Sequence, residues 1–340
     1  TLLYYLRYNL GLVGTKEGCN EGDCGACTVA IVDHDDTGQP RFRAINACLV
    51  LLPMVDGLRL YTIEGLAEPS PRPTAISAPS LAELHPVQRA MVEHLGSQCG
   101  YCTPGITVSL FEACYRTDLR EPWQLDDQLA GNLCRCTGYR PIMDAARAVA
   151  GLRPDDRFSA TLAQGGGAPT NSLSYTTDTQ RFFAPASEDE LFTILAREPE
   201  ARVVAGCTDL GLEVTKRFAK PPCLVSLDRV TSLRTLSLEG DRLVLGATAR
   251  LADVEAAAGR YDFPALGRML RFFGARQVKH RATVGGNLCS ASPIGDLAPI
   301  LSAYGATAIL RSAAGERELA LDEFIVGYRK TALRPGEILA

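Results

Sequence analysis

The sequence has no surplus of basic residues: 35 Lys and Arg stand against 39 Asp and Glu, a formal net charge of -4. Such a surface has no general attraction for nucleic acid or an anionic membrane, so neither is expected as a partner. There is also no stretch of about 18 or more apolar residues, and no basic patch with an apolar run and a small-residue cleavage site. A soluble, cytoplasmic protein is expected. Histidine is scarce, with only His34, His85, His94 and His280. No Ser/His/Asp set or metal-hydrolase pattern accompanies them, so each is read as a surface or capping residue, and no catalytic residue is expected on this chain. A G-x-G-x-x-G run is missing too, which leaves a Rossmann dinucleotide site unsupported. With 340 residues, 46% hydrophobic and 22% charged, the chain is neither disordered nor fibrous and should form two or three domains.

Cysteine, by contrast, is abundant, at twelve residues. Without a secretory leader in view, clustered cysteines point to metal rather than to disulfides. Eight fall into two groups. Cys19, Cys24, Cys27 and Cys48 read C-x4-C-x2-C with a fourth cysteine after 20 intervening residues, the spacing of plant-type ferredoxins. Two irons and their bridging sulfides need four converging thiolates, three from one tight loop and one from a distant segment. Gly18, Gly22 and Gly25 let that loop bend through positive φ and bring amides near the sulfurs, where they stabilise added negative charge. Thr28 to Val32 reads as a strand and Asp33 to Pro40 as the turn of a hairpin. The competing reading is zinc, which generally prefers paired C-x2-C units.

The second group, Cys99, Cys102, Cys134 and Cys136, reads C-x2-C, then 31 residues, then C-x-C. Val87, Ala90, Met91, His94 and Leu95 follow helical spacing on a helix that Pro86 can start. Further helices are expected after Pro104, over Ile106 to Arg116, and after Pro141, over Ile142 to Ala150. Thiolates at such helix starts benefit from the helix dipole. A four-helix arrangement holding a cluster between its loops follows, although taken alone this group suits zinc as well.

CNEGDCGAC at 19–27, QCGYCTPG at 98–105 and GNLCRCTGY at 131–139 together resemble the two iron-sulfur domains of xanthine dehydrogenase and its molybdenum hydroxylase relatives. The resemblance implies two [2Fe-2S] clusters, the second nearest a molybdopterin, with Gln98 beside that cofactor, and the first on the flavin side. The family's N-terminal hairpin is not found ahead of Thr1. Pro69 to Ala82 is a longer Pro- and Ser-rich connection than the family's usual one, and is read as a solvated loop.

Residues 151 to about 180, with Gly165-Gly166-Gly167 and a Ser/Thr-rich run, read as a linker. Ser187, Asp189 and Glu190 then suit the start of a helix over Leu191 to Arg197. Arg202 to Gly211 reads as a strand, a small-residue turn and a helix reaching about Phe218, whose free amides could meet a diphosphate. Thr283 to Asp296 is small and polar between apolar segments. With Phe272 to Val278 these segments resemble the flavin domain of the same hydroxylases. The resemblance implies that Val203, Val204, Ala205, Gly206, Cys207, Thr208, Asp209, Leu210, Thr283, Val284, Gly285, Gly286 and Asn287 contact the phosphates and ribityl chain of FAD. It further implies that Phe273 covers the isoalloxazine and that Asp296 lies near the flavin. Cys207 stands where relatives often carry Gly or Asn. The resemblance extends through Tyr328-Arg329-Lys330-Thr331 and stops before the flavin domain's C-terminal portion. Cys114, Cys223 and Cys289 are read as ordinary small residues.

The fold implied is multidomain α+β: a β-grasp plant-type ferredoxin domain over 1–66, a connecting loop over 67–83, a four-helix [2Fe-2S] domain over 84–152, a linker over 153–180, and an FAD-binding domain of vanillyl-alcohol-oxidase (PCMH) type over 181–340. The cluster-cluster-FAD order resembles the small subunit of bacterial two-gene xanthine dehydrogenases. That implies a molybdopterin-binding large subunit as partner, an α2β2 assembly and NAD as acceptor, with an aldehyde or N-heterocycle hydroxylase as an alternative and a structural zinc-binding protein as another.

Overall fold

The computed structural model describes residues 1–67, 80–165 and 169–340. Most of the expected loop at 69–82, and residues 166–168 of the expected linker, lie outside the described residues. The chain divides into two units. One comprises Thr1–Leu52, Gly57–Gly167 and Ala275–Val278, the other Pro53–Asp56, Ala168–Gly274 and Lys279–Ala340. Among the described residues no helix is long and apolar enough to cross a membrane.

In the first unit the strand Thr28–His34 pairs antiparallel with Pro40–Asn46 and with Leu60–Tyr61. The apolar run Val29-Ala30-Ile31-Val32 is buried on both faces, which explains why it does not alternate with polar residues. The hairpin forms where expected because the Asp35 carboxylate accepts the amide hydrogens of Thr37 and Gln39, an Asx-type turn. Ala30, Val32 and Phe42 join the helix Thr103–Tyr115 in one core. That helix is buried on every side from Gly105 to Tyr115.

Four helices follow the ferredoxin-like sheet: Pro86–Glu93, Thr103–Tyr115, Trp123–Leu129 and Arg140–Val149. Prolines occupy the first turn of the first, second and fourth, where a missing N–H costs nothing. The first stops at Glu93, so Val87, Ala90 and Met91 are buried while Leu95, expected on the same stripe, is 78% exposed. The segment expected as a linker from 153 contains a further helix, Arg157–Gln164. Asp156 caps it through the amides of Phe158 and Ser159, both at 2.9 Å. Phe158 is 1% exposed and packs among Phe42, Tyr61, Phe111 and Tyr115, and the Arg157 guanidinium donates to the carbonyls of Gly65 and Ala67 at 2.8 and 2.7 Å. One buried aromatic among polar neighbours gave no helical period by which to see it.

In the second unit Arg181–Ala184, Cys223–Ser226 and Arg202–Val204 form a parallel set, extended by antiparallel Leu173–Thr176. Between them run the helices Glu188–Arg197 and Leu210–Lys216. Ser187 caps the first by accepting the amide hydrogen of Glu190 at 3.2 Å, as its sequence suggests. A second sheet, Gly315–Ala320, Thr307–Ser312 and Ile338–Leu339, is antiparallel. It packs with the helices Leu251–Arg260, Pro264–Phe272, Val284–Ser290 and Leu297–Ala303 around a second core.

Candidate functional site

The eight expected cysteines occupy the loops around the first unit's helices and sheet, and their sulfurs meet in pairs. In the first set Cys19 is hydrogen-bonded to Cys24, and Cys27 to Cys48. The Cys27–Cys48 bond holds the Cys27 thiol below its usual range; together with burial it pushes Cys48 well above. Burial opposes ionisation of Cys19, but the amides of Cys24 and Glu21, each 3.4 Å from its sulfur, outweigh it and lower the thiol's pKa. In the second set Cys102 pairs with Cys134 and Cys99 with Cys136. Burial, then the bond to Cys134, pushes Cys102 up to about 12.

Two sulfurs per iron is what a dinuclear cluster takes from four cysteines, whereas one zinc ion draws four ligands to a point. Among the described residues no set of three or more Cys, His, Asp or Glu side chains closes on one point. The two-by-two grouping suits the two irons of a [2Fe-2S] cluster in each set, each iron taking two cysteines. Cys27, Cys48 and Cys134 are buried while Cys99 and Cys136 are exposed, so the second set opens to the surface on one side. Gln98 is exposed beside it.

Gly25 takes a φ of 66° and Gly22 one of 84°, as the loop's bend requires. Gly18 does not: it is small because a Cβ there would stand 2.6 Å from Cys24 Sγ. Cys102 itself starts the helix Thr103–Tyr115. Cys136 lies before the helix Arg140–Val149, and the loop between is held by Tyr139, whose hydroxyl accepts the amide hydrogen of Cys134 at 2.9 Å.

The loops of the two sets touch. The Leu133 amide donates to the Cys24 carbonyl at 3.0 Å, and the Tyr101 hydroxyl donates to the carbonyl of Glu17. Sequence reasoning quoted Asn132, Tyr139 and Gln277 only as members of motifs. Their partners lie up to 168 residues away in the chain, and no local spacing marks such contacts.

In the second unit the expected flavin segments lie side by side. A Cβ on Gly206 would stand 1.7 Å from the Arg281 carbonyl, which sets the turn after Arg202–Val204 against the strand-like entry to Thr283. The Thr283 hydroxyl accepts the amide hydrogen of Gly286 at 3.0 Å, Gly285 packs on Ala247, and the Asn287 carboxamide lies beside Gly295, next to Asp296. Cys207 has a φ of 67°, a conformation that Gly and Asn reach most easily. Val204 and Leu210 are buried, whereas Val203, Asp209, Gly286 and Asp296 are exposed. Phe273 is half-buried against the second core. Arg329, not singled out for a role, forms an ion pair with Asp209 at 3.6 Å, and its amide donates to the Ala291 carbonyl.

The remaining expectations fare unevenly. His85 does cap a helix, but it is 5% exposed, and His280, at 1%, is no surface residue either. Of the cysteines read as ordinary small residues, Cys114 and Cys223 are buried and Cys289 is exposed.

Family comparisons agree with this order of parts. Residues 1–52 match the model of a 2Fe-2S iron-sulfur cluster binding domain, 62–147 that of a [2Fe-2S] binding domain, and 176–340 that of the FAD binding domain in molybdopterin dehydrogenase. The class is an electron-transfer iron-sulfur flavoprotein of α+β build, with two [2Fe-2S]-binding domains and one FAD-binding domain. The chain is 32% identical over 414 residues to a xanthine dehydrogenase of Oryza sativa subsp. japonica, covering 100% of this chain and 29% of the relative. It is 33% identical over 400 residues to aldehyde oxidase 2 of Cavia porcellus, covering 100% and 29%. Among solved structures, quinoline 2-oxidoreductase from Pseudomonas putida 86 is similar over 46% of this chain and 55% of that one, at 31% identity and a TM-score of 0.43. The chain belongs to the molybdenum hydroxylase family, as its iron-sulfur and FAD-binding part, and spans less than a third of the length of those curated relatives.

Proposed function

We propose that this chain is the electron-transfer part of a xanthine dehydrogenase, in which hypoxanthine or xanthine is oxidised to urate at a molybdopterin centre on a partner subunit and the electrons leave through this chain to NAD. The observation that carries the reading is the two-by-two pairing of eight cysteine sulfurs in adjoining loops, on a chain that continues into an FAD-binding domain. Cys19, Cys24, Cys27 and Cys48 are assigned to the first [2Fe-2S] cluster, and Cys99, Cys102, Cys134 and Cys136 to the second. FAD is assigned to Val203 through Leu210, to Thr283 through Asn287, and to Phe273 and Asp296. When bound, these groups would supply single-electron carriage and, at the flavin, the collection of two electrons for hydride transfer.

The chain's own residues have three tasks in this scheme. The Glu21 and Cys24 amides favour thiolate at Cys19. Burial of Cys27 and Cys48 keeps water from that half of the first set, and the open side of the second set, with Cys99, Cys136 and Gln98 exposed, is assigned to the molybdopterin-binding large subunit of an α2β2 assembly.

A second reading keeps the role and changes the substrate to an aldehyde or N-heterocycle. It is supported by the aldehyde oxidase relative, whose 33% identity is no lower than the 32% of the xanthine dehydrogenase. The substrate pocket would lie on the partner, so supplying that partner and comparing hypoxanthine with aldehydes separates the two. The cofactor reading itself is tested by visible absorption with iron, labile sulfide, zinc and flavin analysis of the anaerobically purified full-length chain. A red-brown protein with iron, sulfide and flavin supports it; a colourless, zinc-loaded protein without flavin sinks it.

A further inference from the structure

Between the two cysteine loops lies a buried network of uncharged polar side chains centred on Asn132, which is 3% exposed. Its Nδ2 donates to the Gly25 carbonyl at 3.1 Å and to the Thr28 hydroxyl at 3.3 Å. Its Oδ1 accepts from the Ser109 hydroxyl and from Gln277 Nε2, both at 2.6 Å. All four hydrogen-bonding positions of the carboxamide are thereby used. The Gly25 carbonyl in turn accepts from the Thr28 amide and hydroxyl, at 3.1 and 2.6 Å.

Gly25 sits between Cys24 and Cys27, and Asn132 is two residues before Cys134. One side chain therefore grips the loop of the first set while its own backbone leads into the second. The next residue completes the contact through the Leu133 amide and the Cys24 carbonyl at 3.0 Å. The approach is backbone to backbone: a Cβ on Gly25 would stand 2.1 Å from the Gly131 carbonyl.

We propose that Asn132 is a positioning residue that sets the separation and orientation of the two [2Fe-2S] loops, and with them the electronic coupling between the clusters. The proposal rests on the assignment of clusters to these cysteines. Electron transfer between two centres falls steeply with distance and runs better through bonded and hydrogen-bonded contacts than across a gap, so a shift of the loops at Gly25 would be felt there first. A carboxamide suits the position for a second reason. A charged side chain at this buried place would favour one oxidation state of both clusters, whereas Asn132, Ser109, Thr28 and Gln277 fix geometry and add no net charge.

The test compares the full-length chain with Asn132→Ala and with the milder Thr28→Val, which removes only the hydroxyl shared by Gly25 and Asn132. The readout is electron paramagnetic resonance of the dithionite-reduced protein, alongside iron and sulfide analysis and a rapid-mixing measurement of electron exchange between the clusters. The expected result is a full complement of iron and sulfide, a changed spin-spin splitting between the two reduced signals, and exchange slower in Asn132→Ala than in the wild-type chain. Should Asn132→Ala fail to assemble, Thr28→Val carries the comparison, with a smaller change in splitting expected. Variants that keep their clusters and show unaltered splitting and exchange overturn the proposal while leaving the cluster assignment intact. A wild-type chain that takes up no iron overturns both.

Discussion

Gly206 faces the carbonyl of Arg281 so closely that a Cβ would stand 1.7 Å from the oxygen and 2.5 Å from its carbon. Backbone cannot yield as a flexible side chain can, so Gly206→Ala must part the two segments assigned to FAD. The expected cost is about 1–3 kcal/mol of stability. Flavin content of the purified variant should fall while iron and sulfide stay at wild-type levels, because the cysteine loops belong to the other unit. Full flavin content would remove Gly206 from the cradle.

Glu112 is a different kind of contact. It is 1% exposed and accepts from Arg276 Nε at 2.8 Å, from the Ala44 amide at 3.0 Å and from Gln128 at 3.1 Å. Burial would lower the Arg276 pKa, yet Glu112, Asp127 and Asp118 raise it above its ordinary value, so the guanidinium stays charged. Glu112→Ala leaves that charge short of its nearest partner and should destabilise by about 3–5 kcal/mol. Asp144→Ala removes an ion pair whose members are 45% and 63% exposed, and should cost about 0.5 kcal/mol or less. Thermal unfolding of the two variants side by side checks the contrast.

The sequence made the cysteine sets legible because ligand spacing is a local property: three thiolates in one loop, then one more, can be read without knowing the fold. The hairpin at 28–46 and the proline-started helices are local in the same sense. What stayed hidden depends on long-range contacts. The helix Arg157–Gln164 exists because Phe158 finds an aromatic pocket made by residues 42 to 115. The grip of Asn132 on Gly25 spans 107 residues, and Ala275–Val278, read as flavin-domain sequence, belongs by its contacts to the iron-sulfur unit. Gly18 is needed for its lack of a Cβ and not for a positive φ, a distinction that depends on where Cys24 Sγ lies and that no sequence pattern carries.

His85 gives the protein an acid-sensitive point. Burial drives its pKa from 6.5 down to about 4, with Arg157 and Arg89 adding to that effect and Asp156 opposing it. Its Nε2 lies 2.8 Å from the Tyr115 hydroxyl, which donates to Asp156 at 2.5 Å, and its Nδ1 accepts the Val87 amide hydrogen at 3.3 Å. The folded-state pKa is depressed, so the unfolded chain takes up the proton first. The stability from a neutral His85 is fully present above pH 6.5 and is lost as pH falls toward 4, by about 3 kcal/mol at the lower end. His85→Asn, which can still cap the helix, should flatten the fall in melting temperature between pH 7 and pH 5; an unchanged slope would assign the acid sensitivity elsewhere.

Tyr139 offers the sharpest test of how a side chain tunes the second set. Its backbone φ is 66°, a costly conformation for a non-glycine residue, and the Thr137 hydroxyl steadies it by accepting its amide hydrogen at 3.1 Å. What this arrangement achieves is a phenol placed to accept the Cys134 amide hydrogen at 2.9 Å. An amide bound to the phenol is not free to donate to cluster sulfur. In Tyr139→Phe that donor is released, and donors to sulfur favour the reduced, more negative state. The midpoint potential of the second cluster should therefore rise, with that of the first unchanged, in a redox titration followed by electron paramagnetic resonance. A fall in potential would mean that the phenol stabilises the reduced state itself, and that its role is to donate rather than to mask.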